Sequence, residues 1–264
     1  MKNIAIVEAR YDSTRLKGKV LLNLNDKFKT IDFVLQNLLA SRKLNTQNIY
    51  LLTSKKKSNK KILDYVKKKY KIGFFKGSEE NVYQRIYNFI KKIKVKNLIR
   101  ITSDNPLIDP AIIDEFISSY EKNKVDYMSI RSMEHTQNWN ETSDFPEGIS
   151  LEIFKKKKFL KLKKKINIRN HAYPTWFFYN SVDEQIVKKK FNIFKKYKKI
   201  DKKMRVTLDT KKDLNFLRKI IKFYNLEPGK NNISKILNDK KKISKNFLHN
   251  INKKKKIAYK EVNS

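Results

Sequence analysis

Cysteine is absent from the 264 residues. That excludes disulfide scaffolds, thiolate metal sites and cysteine nucleophiles in any compartment. Any metal must be held by oxygen or by one of three histidines. Long apolar runs are missing too, and nothing approaches the roughly 20 residues of a membrane span. The opening MKNIAIVEAR meets charge soon after a short apolar stretch, whereas a secretory signal needs a basic start and roughly 7–15 apolar residues. The expected setting is the cytoplasm, without membrane insertion. There is no internal repeat, and lysine runs are the only low-complexity feature.

Acidic residues are scarce. Against 63 Lys and Arg stand 26 Asp and Glu, a net charge of +37. Such a charge invites a nucleic-acid reading, in which lysines neutralise phosphates along a stripe or patch. The lysines instead occur in every segment, KKKSNKK, VKKKYK, FKKKKFLKLKKK and NKKKKIAYK among them, alongside much Ile and Asn. These three residues have AT-rich codons, so base composition accounts for the bias, and net charge speaks to solubility and non-specific binding. No RRM, KH or helix-turn-helix signature is present, and no specific nucleic-acid partner is expected.

What is there alternates. Residues 2–8 (KNIAIVE), 48–53 (NIYLLT), 72–75 (IGFF) and 97–102 (NLIRIT) have the apolar, β-type composition of buried strands. Helical spacing follows each: Ile31, Val34, Leu35, Leu38 and Leu39 behind a Thr30 cap, then Ile62, Leu63 and Val66 within 59–70. Gly77-Ser78-Glu79-Glu80 opens a third helix, with Ser78 as cap, that runs to about Ile93. Asp109 caps a fourth, which begins at Pro110 and carries Ile112, Ile113, Phe116, Ile117 and Tyr120. After about 130 the pattern loosens. Residues 149–154 and 204–210 are expected strands, the second reaching Asp209, and Thr210 caps a helix with Leu214, Leu217, Ile220 and Ile221 on its buried side. This alternation predicts an α/β fold, a mostly parallel sheet covered on both faces, with functional loops at the carboxyl ends of its strands. The expected organisation is one domain, 1–227, and a lysine-rich extension, 228–264.

The first loop, Glu8-Ala9-Arg10-Tyr11-Asp12-Ser13-Thr14-Arg15-Leu16-Lys17-Gly18-Lys19-Val20-Leu21, resembles the nucleotide-binding signature of the cytidylyltransferases that make CMP-linked sugar acids. It is most similar to the spore coat polysaccharide branch, whose loop reads Q-A-R-x-x-S-T-R-L-P-G-K-x-L. Glu8 replaces the glutamine and Lys17 the proline. Lys76-Gly77-Ser78-Glu79-Glu80-Asn81-Val82 with Arg85 resembles the family's R-G-S-E-x-x-V-L-x-R-Y. Arg100 to Pro110, RITSDNPLIDP, is similar to R-I-T-G-D-x-P-L-I-D-P. Phe145 to Phe154 resembles F-P-x-G-x-D-x-E-x-F with Ser150 for the Asp, and Arg169-Asn170-His171 with Tyr173-Pro174 resembles R-E-H-x-x-P with Asn170 for the acid. Val206 to Thr210 with Asp213-Leu214 resembles T-V-D-T-P-E-D-L. The resemblance covers roughly 2–224.

It implies a three-layer α/β/α nucleotide-diphospho-sugar transferase (Rossmann-like) fold. It also implies transfer of CMP from CTP to a sugar, a 2-keto-3-deoxy sugar acid being the expected class, with Mg²⁺ as cofactor and pyrophosphate as product. Such a reaction is an in-line displacement at the α-phosphorus, so the protein must chiefly position reactants and neutralise charge. Arg10, Arg15 and Lys19 suit that task, because guanidinium grips phosphate bidentately and lysine supplies a point charge. Ala9, Ser13 and Gly18 complete the implied phosphate loop, and Gly77, Ser78 and Arg85 belong to the base end. Asp104 and Asp209 are the implied Mg²⁺ ligands, and with Arg10 and Lys19 the implied catalytic set. Arg169, His171 and Tyr173 lie on the implied sugar side, where a basic pair suits a carboxylate. A homodimer built on the segment after 150 also fits the family. Three alternatives stay open: another nucleotide, a relative that has lost turnover (to which Glu8, Ser150 and Asn170 point), or a basic nucleic-acid binder.

Overall fold

The computed structural model describes residues 2–130, 147–164, 172–175, 177, 178, 186–191 and 205–238. Strands β1 (Asn3–Glu8), β2 (Ile49–Ser54), β3 (Gly73–Gly77), β4 (Asn97–Thr102), β5 (Tyr127–Ser129), β6 (Glu152–Lys155) and β7 (Lys188–Lys190) form a sheet in the order β3-β2-β1-β4-β6-β5-β7. All pairings are parallel except those of β6, which runs against both β4 and β5. The helices are α1 (Thr30–Leu39), α2 (Lys60–Lys69), α3 (Val82–Lys91), α4 (Pro110–Lys122), α5 (Lys156–Lys161), α6 (Lys211–Tyr224) and α7 (Asn232–Asn238). The expected three-layer α/β/α architecture with a mostly parallel sheet is what the chain adopts. Among the described residues no helix is long and apolar enough to cross a membrane.

The period of two along a strand builds two cores. On β1, Ala5 and Val7 pack into a cluster with α1, α2, α4 and α6, whereas Ile4 and Ile6 pack into a second with α3 and α5. Both faces are covered, which is why KNIAIVE is continuously apolar rather than alternating. The same alternation puts the side chain of Glu8, at the end of β1, on the α3 face. Arg100 and Thr102 of β4 share that face, because Ile6 pairs with Arg100 and Glu8 with Thr102. Glu152 of β6 lies opposite Arg100. Four polar side chains thus gather at the carboxyl end of the sheet's centre.

Several local expectations are corrected. Residues 206–209 are extended but join no strand ladder; they are held by Val206 N–H to the Glu147 carbonyl at 2.6 Å and Leu208 N–H to the Asp104 carbonyl at 2.8 Å. The segment is laid across loops at the sheet's edge, and its apolar Val206 and Leu208 look like a strand only because they are buried. Strands β5 and β7 are three residues each, and Lys188–Lys190 carries no apolar signal. Lys29, not Thr30, is the first cap, because the Thr30 hydroxyl donates to the Leu22 carbonyl at 3.1 Å. Asn81, not Ser78, caps α3 and accepts from Gln84 N–H at 2.7 Å. Thr210 and Asp213 form the expected capping box of α6.

Asp109 takes the expected N-cap position of α4, its carbonyl accepting from Ile113 N–H at 3.1 Å, but its side chain makes no cap hydrogen bond. Its carboxylate instead accepts from Ile233 N–H (2.8 Å), Ser234 N–H (3.1 Å) and the Ser234 hydroxyl (3.1 Å), at the start of α7. Ile233 and Ile236 are fully buried in the same core as the sheet. Residues 228–238, expected as the start of an extension, therefore pack into the core of the sheet through Ile233 and Ile236.

Candidate active site

Loop 9–18 leaves β1 and folds back on itself. Gly18 adopts φ +68° and donates its N–H to the Tyr11 carbonyl at 2.7 Å, and an added Cβ would press on the Tyr11 ring at 3.2 Å. The loop's base is pinned by Asn59, which is fully buried at the head of α2. Its Oδ1 accepts from Tyr11 N–H at 2.8 Å, and its Nδ2 donates to the Ser54 hydroxyl at 2.6 Å. Gly18 closes the loop rather than offering its own N–H to a ligand. Thr14 makes no hydrogen bond to any described residue.

A cavity of about 230 Å³ opens above the centre of the sheet. Its walls include Ala9, Arg10, Ser13, Arg15, Lys19, Arg85 and Asp104, all singled out in the sequence. They also include Glu8, Thr14, Val82, Arg100, Thr102, Ser103 and Ala172. Five of these side chains are basic and two acidic, so the cavity favours a polyanion. Arg10 reaches over it and donates to the Glu79 carbonyl at 3.2 Å.

Lys19 organises one wall. Its ammonium donates to Asp104 Oδ2 at 2.8 Å, to Asp209 Oδ1 at 2.9 Å and to the Leu208 carbonyl at 2.8 Å. Burial alone would lower the Lys19 pKa, but the two carboxylates outweigh it and the net movement is upward. Arg15 donates to the same Asp209 oxygen at 2.8 Å, and Arg205 donates to Oδ2 at 2.7 Å. Burial pushes against the Asp209 charge, yet Lys19, Arg15 and Arg205 together hold its carboxyl down at about 2. Arg205 is fixed in turn by Asp213 at 3.1 Å and Glu147 at 2.5 Å. Asp104 is freer: its side chain is a quarter exposed, and Oδ1 accepts no hydrogen bond from any described residue. The two aspartates, 105 positions apart in sequence, therefore meet at one nitrogen. Their meeting rests on the Leu208–Asp104 backbone bond, not on a strand that ends at Asp209.

The floor is a buried ion-pair chain. Glu8 accepts from Arg85 at 3.2 Å and forms a short contact with Arg100; Arg100 donates to Glu152 at 2.6 Å. Glu152 also accepts from the hydroxyls of Tyr127 (2.8 Å) and Thr175 (2.9 Å). Glu8 is thus neutralised by two guanidinium groups and does not confront a phosphate as a bare charge. Arg85 is held by Ser78, whose carbonyl accepts at 2.6 Å, while its Nε is buried without a partner among the described residues. Gly77 is needed for a steric reason: a Cβ there would lie 2.6 Å from Arg85 Cγ. Gly77 and Ser78 accordingly stand behind Arg85, not on the cavity wall. Ser150, in the place of an acid, accepts from Asn105 Nδ2 at 2.9 Å.

Of the sugar-side residues, Arg169 and His171, like Asn170, lie outside the described residues. Tyr173 is half-buried and does not line the cavity, although Ala172 beside it does. Arg100, Thr102, Arg205, Asn59 and Glu147 were not singled out as site residues. Arg100 and Thr102 were legible in the alternation of β4 from Glu8's partner outward; Arg205 and Glu147 meet only through the fold.

Comparison with known proteins agrees with this architecture. The chain matches the model of the Cytidylyltransferase family over residues 4–243. It is 34% identical over 127 residues to spore coat polysaccharide biosynthesis protein SpsF of Bacillus subtilis, covering 47% of this chain and 52% of that one. The chain spans about half the length of the curated relatives it matches. A solved cytidylyltransferase from Leptospira borgpetersenii superposes with a TM-score of 0.77 at 25% identity, covering 92% of this chain and 96% of that one. CMP:2-keto-3-deoxy-manno-octonic acid synthetase, solved with CTP, shares the fold at a TM-score of 0.58 and 14% identity, over 84% and 99% of the two chains. With a parallel sheet, a basic loop after its first strand and a match to the family model along most of its length, this chain belongs to the cytidylyltransferase family.

Proposed function

We propose that this protein is a nucleotidyltransferase that moves CMP from CTP to a sugar, a 2-keto-3-deoxy sugar acid being the class we favour, and releases pyrophosphate. The observation that carries the reading is the meeting of Asp104 and Asp209 at Lys19, beside a cavity lined by five basic side chains against two acidic ones. The family membership, and the polysaccharide pathway named for the Bacillus relative, support a sugar as acceptor. In the proposed reaction a sugar hydroxyl gives up its proton to solvent and its oxygen bonds to the α-phosphorus as the bond to the α–β bridging oxygen breaks, that oxygen leaving with pyrophosphate. Arg10, Arg15 and Lys19 bind and orient the triphosphate, and Arg85, anchored by Glu8 and Ser78, forms the inner wall beside it.

The aspartates fit a hard divalent cation in part. Mg²⁺ takes one or two carboxylates with phosphate oxygens and retained waters. No group of three or more His, Cys, Asp or Glu is placed to hold a metal among the described residues, so a two-carboxylate site is the chemistry available. Asp104 offers a free oxygen, while the oxygens of Asp209 are in use by Lys19, Arg15 and Arg205. When bound, the ion would neutralise charge on the phosphates. Arg169, His171 and Tyr173 are proposed for the sugar's carboxylate side, the segment after 150 for a homodimer, and the cytoplasm as the setting. A pyrophosphate-release screen of the four nucleoside triphosphates against a panel of 2-keto-3-deoxy sugar acids tests the reading. Turnover with CTP alone is expected, and no release with any pair would refute it.

A further inference from the structure

We propose that Lys19, with Arg15, is a resident counter-cation that closes the Asp104–Asp209 pair to divalent metal until a triphosphate draws both side chains away, so that metal and nucleotide enter together. The inference rests on the pair being the metal site of the proposed reaction. Its basis is geometric. The Lys19 ammonium lies 2.8 Å from one carboxylate and 2.9 Å from the other, which is the place a cation shared by both would take. Its third hydrogen bond, to the Leu208 carbonyl, leaves the ammonium fully partnered and the site satisfied without any ion. Arg15 occupies the same oxygen of Asp209. A divalent ion arriving alone would meet two fixed positive charges at contact distance and offer them nothing in exchange.

The three cations around Asp209 are not equivalent. Arg205 is locked between Glu147 and Asp213, and nothing in the cavity competes for it. Lys19 and Arg15 both line the cavity; the Arg15 side chain is 64% exposed and free to turn to an incoming phosphate, whereas Lys19, only 11% exposed, must exchange its bonds to the aspartates for bonds to the phosphate. A triphosphate supplies new anionic partners for them and brings its own divalent counter-ion. Asp104 Oδ1, already free, is the oxygen that ion would meet first. Binding of metal and nucleotide is then positively coupled, and the coupling is reciprocal.

The test is titration of the full chain with Mn²⁺, read by electron paramagnetic resonance, with no nucleotide, with CTP and with cytidine. Expected for the wild type is tight binding only with CTP. Lys19→Met, which keeps the stem and removes the charge, should raise nucleotide-free Mn²⁺ affinity by about tenfold or more, and adding Asp209→Asn should abolish that gain. Arg15→Gln, at an exposed side chain whose loss does not threaten folding, should give a smaller gain in the same direction. Wild-type protein that binds Mn²⁺ as tightly without nucleotide as with it, or Arg15→Gln and folded Lys19→Met with no gain, would overturn the inference while leaving CTP turnover as it stands. Absence of CTP binding by calorimetry would overturn the functional reading itself, and this inference with it.

Discussion

Asp209→Asn tests whether one residue joins stability to chemistry. The carboxylate accepts charge-assisted bonds from Lys19, Arg15 and Arg205 and is nearly buried. A carboxyl held at about 2 instead of its ordinary 3.8 gains on the order of 2 kcal/mol from its ionised form at neutral pH. Leaving Arg205 and Lys19 short of a partner adds to this, so a loss of roughly 2–4 kcal/mol is expected at pH 7. The sign follows from the depressed pKa: the stabilisation is fully present above 3.8 and is lost as pH falls through about 2. The gap between wild type and variant in urea unfolding should therefore be wide at pH 7 and narrow steadily below pH 4. Pyrophosphate release should fall on the order of a hundredfold or more, because the variant lacks one of the two charges that would hold a divalent ion beside the phosphates. An unchanged unfolding midpoint at pH 7, or full turnover, would refute the reasoning. Asp109→Asn is not a neutral control for this experiment, since both Asp109 oxygens accept bonds from α7 and an amide keeps only one acceptor.

Burial raises the Asp109 carboxyl to about 6 even though Ile233 and Ser234 bond to it. Its protonation therefore favours the folded state, and wild type minus Asp109→Asn stability should grow by on the order of 2–3 kcal/mol as pH falls from 7 to about 4, as read by thermal unfolding; a flat difference would contradict it. Gly77→Ala should cost roughly 1–3 kcal/mol and weaken CTP binding in calorimetry, because the new Cβ meets Arg85 at 2.6 Å and displaces the partner of Glu8; unchanged affinity would detach Arg85 from the nucleotide. DNA binding, followed by anisotropy, should be weak, indifferent to sequence and lost between about 50 and 200 mM salt; selective binding that survives would reopen the nucleic-acid reading.

The sequence by itself determined the layers and most of the loop chemistry. Continuous apolar runs such as KNIAIVE and NLIRIT, separated by helical spacing, admit little other than a covered parallel sheet, because only strands buried on both faces dispense with alternation. The ordered motifs placed Arg10, Lys19 and Asp104 in the loops that follow those strands and Arg85 on the helix after β3, around the cavity the fold opens. What the tertiary structure decided was pairing. Asp209 follows no strand; the bonds of Leu208 N–H and the Thr207 hydroxyl to the Asp104 carbonyl bring it to Lys19. Glu8, which in sequence looked like a charge set against phosphate, is answered by Arg85 from a helix and Arg100 from a neighbouring strand. Asp109 takes the cap position of its own helix, as its sequence context suggests, but its carboxylate holds α7, more than a hundred residues away. Local pattern fixes where a residue sits along its element, through steric and solvation preferences that act over a few residues. Which charges meet is settled by chain crossings between distant segments, and there burial rewards only the arrangements in which every charge finds a partner.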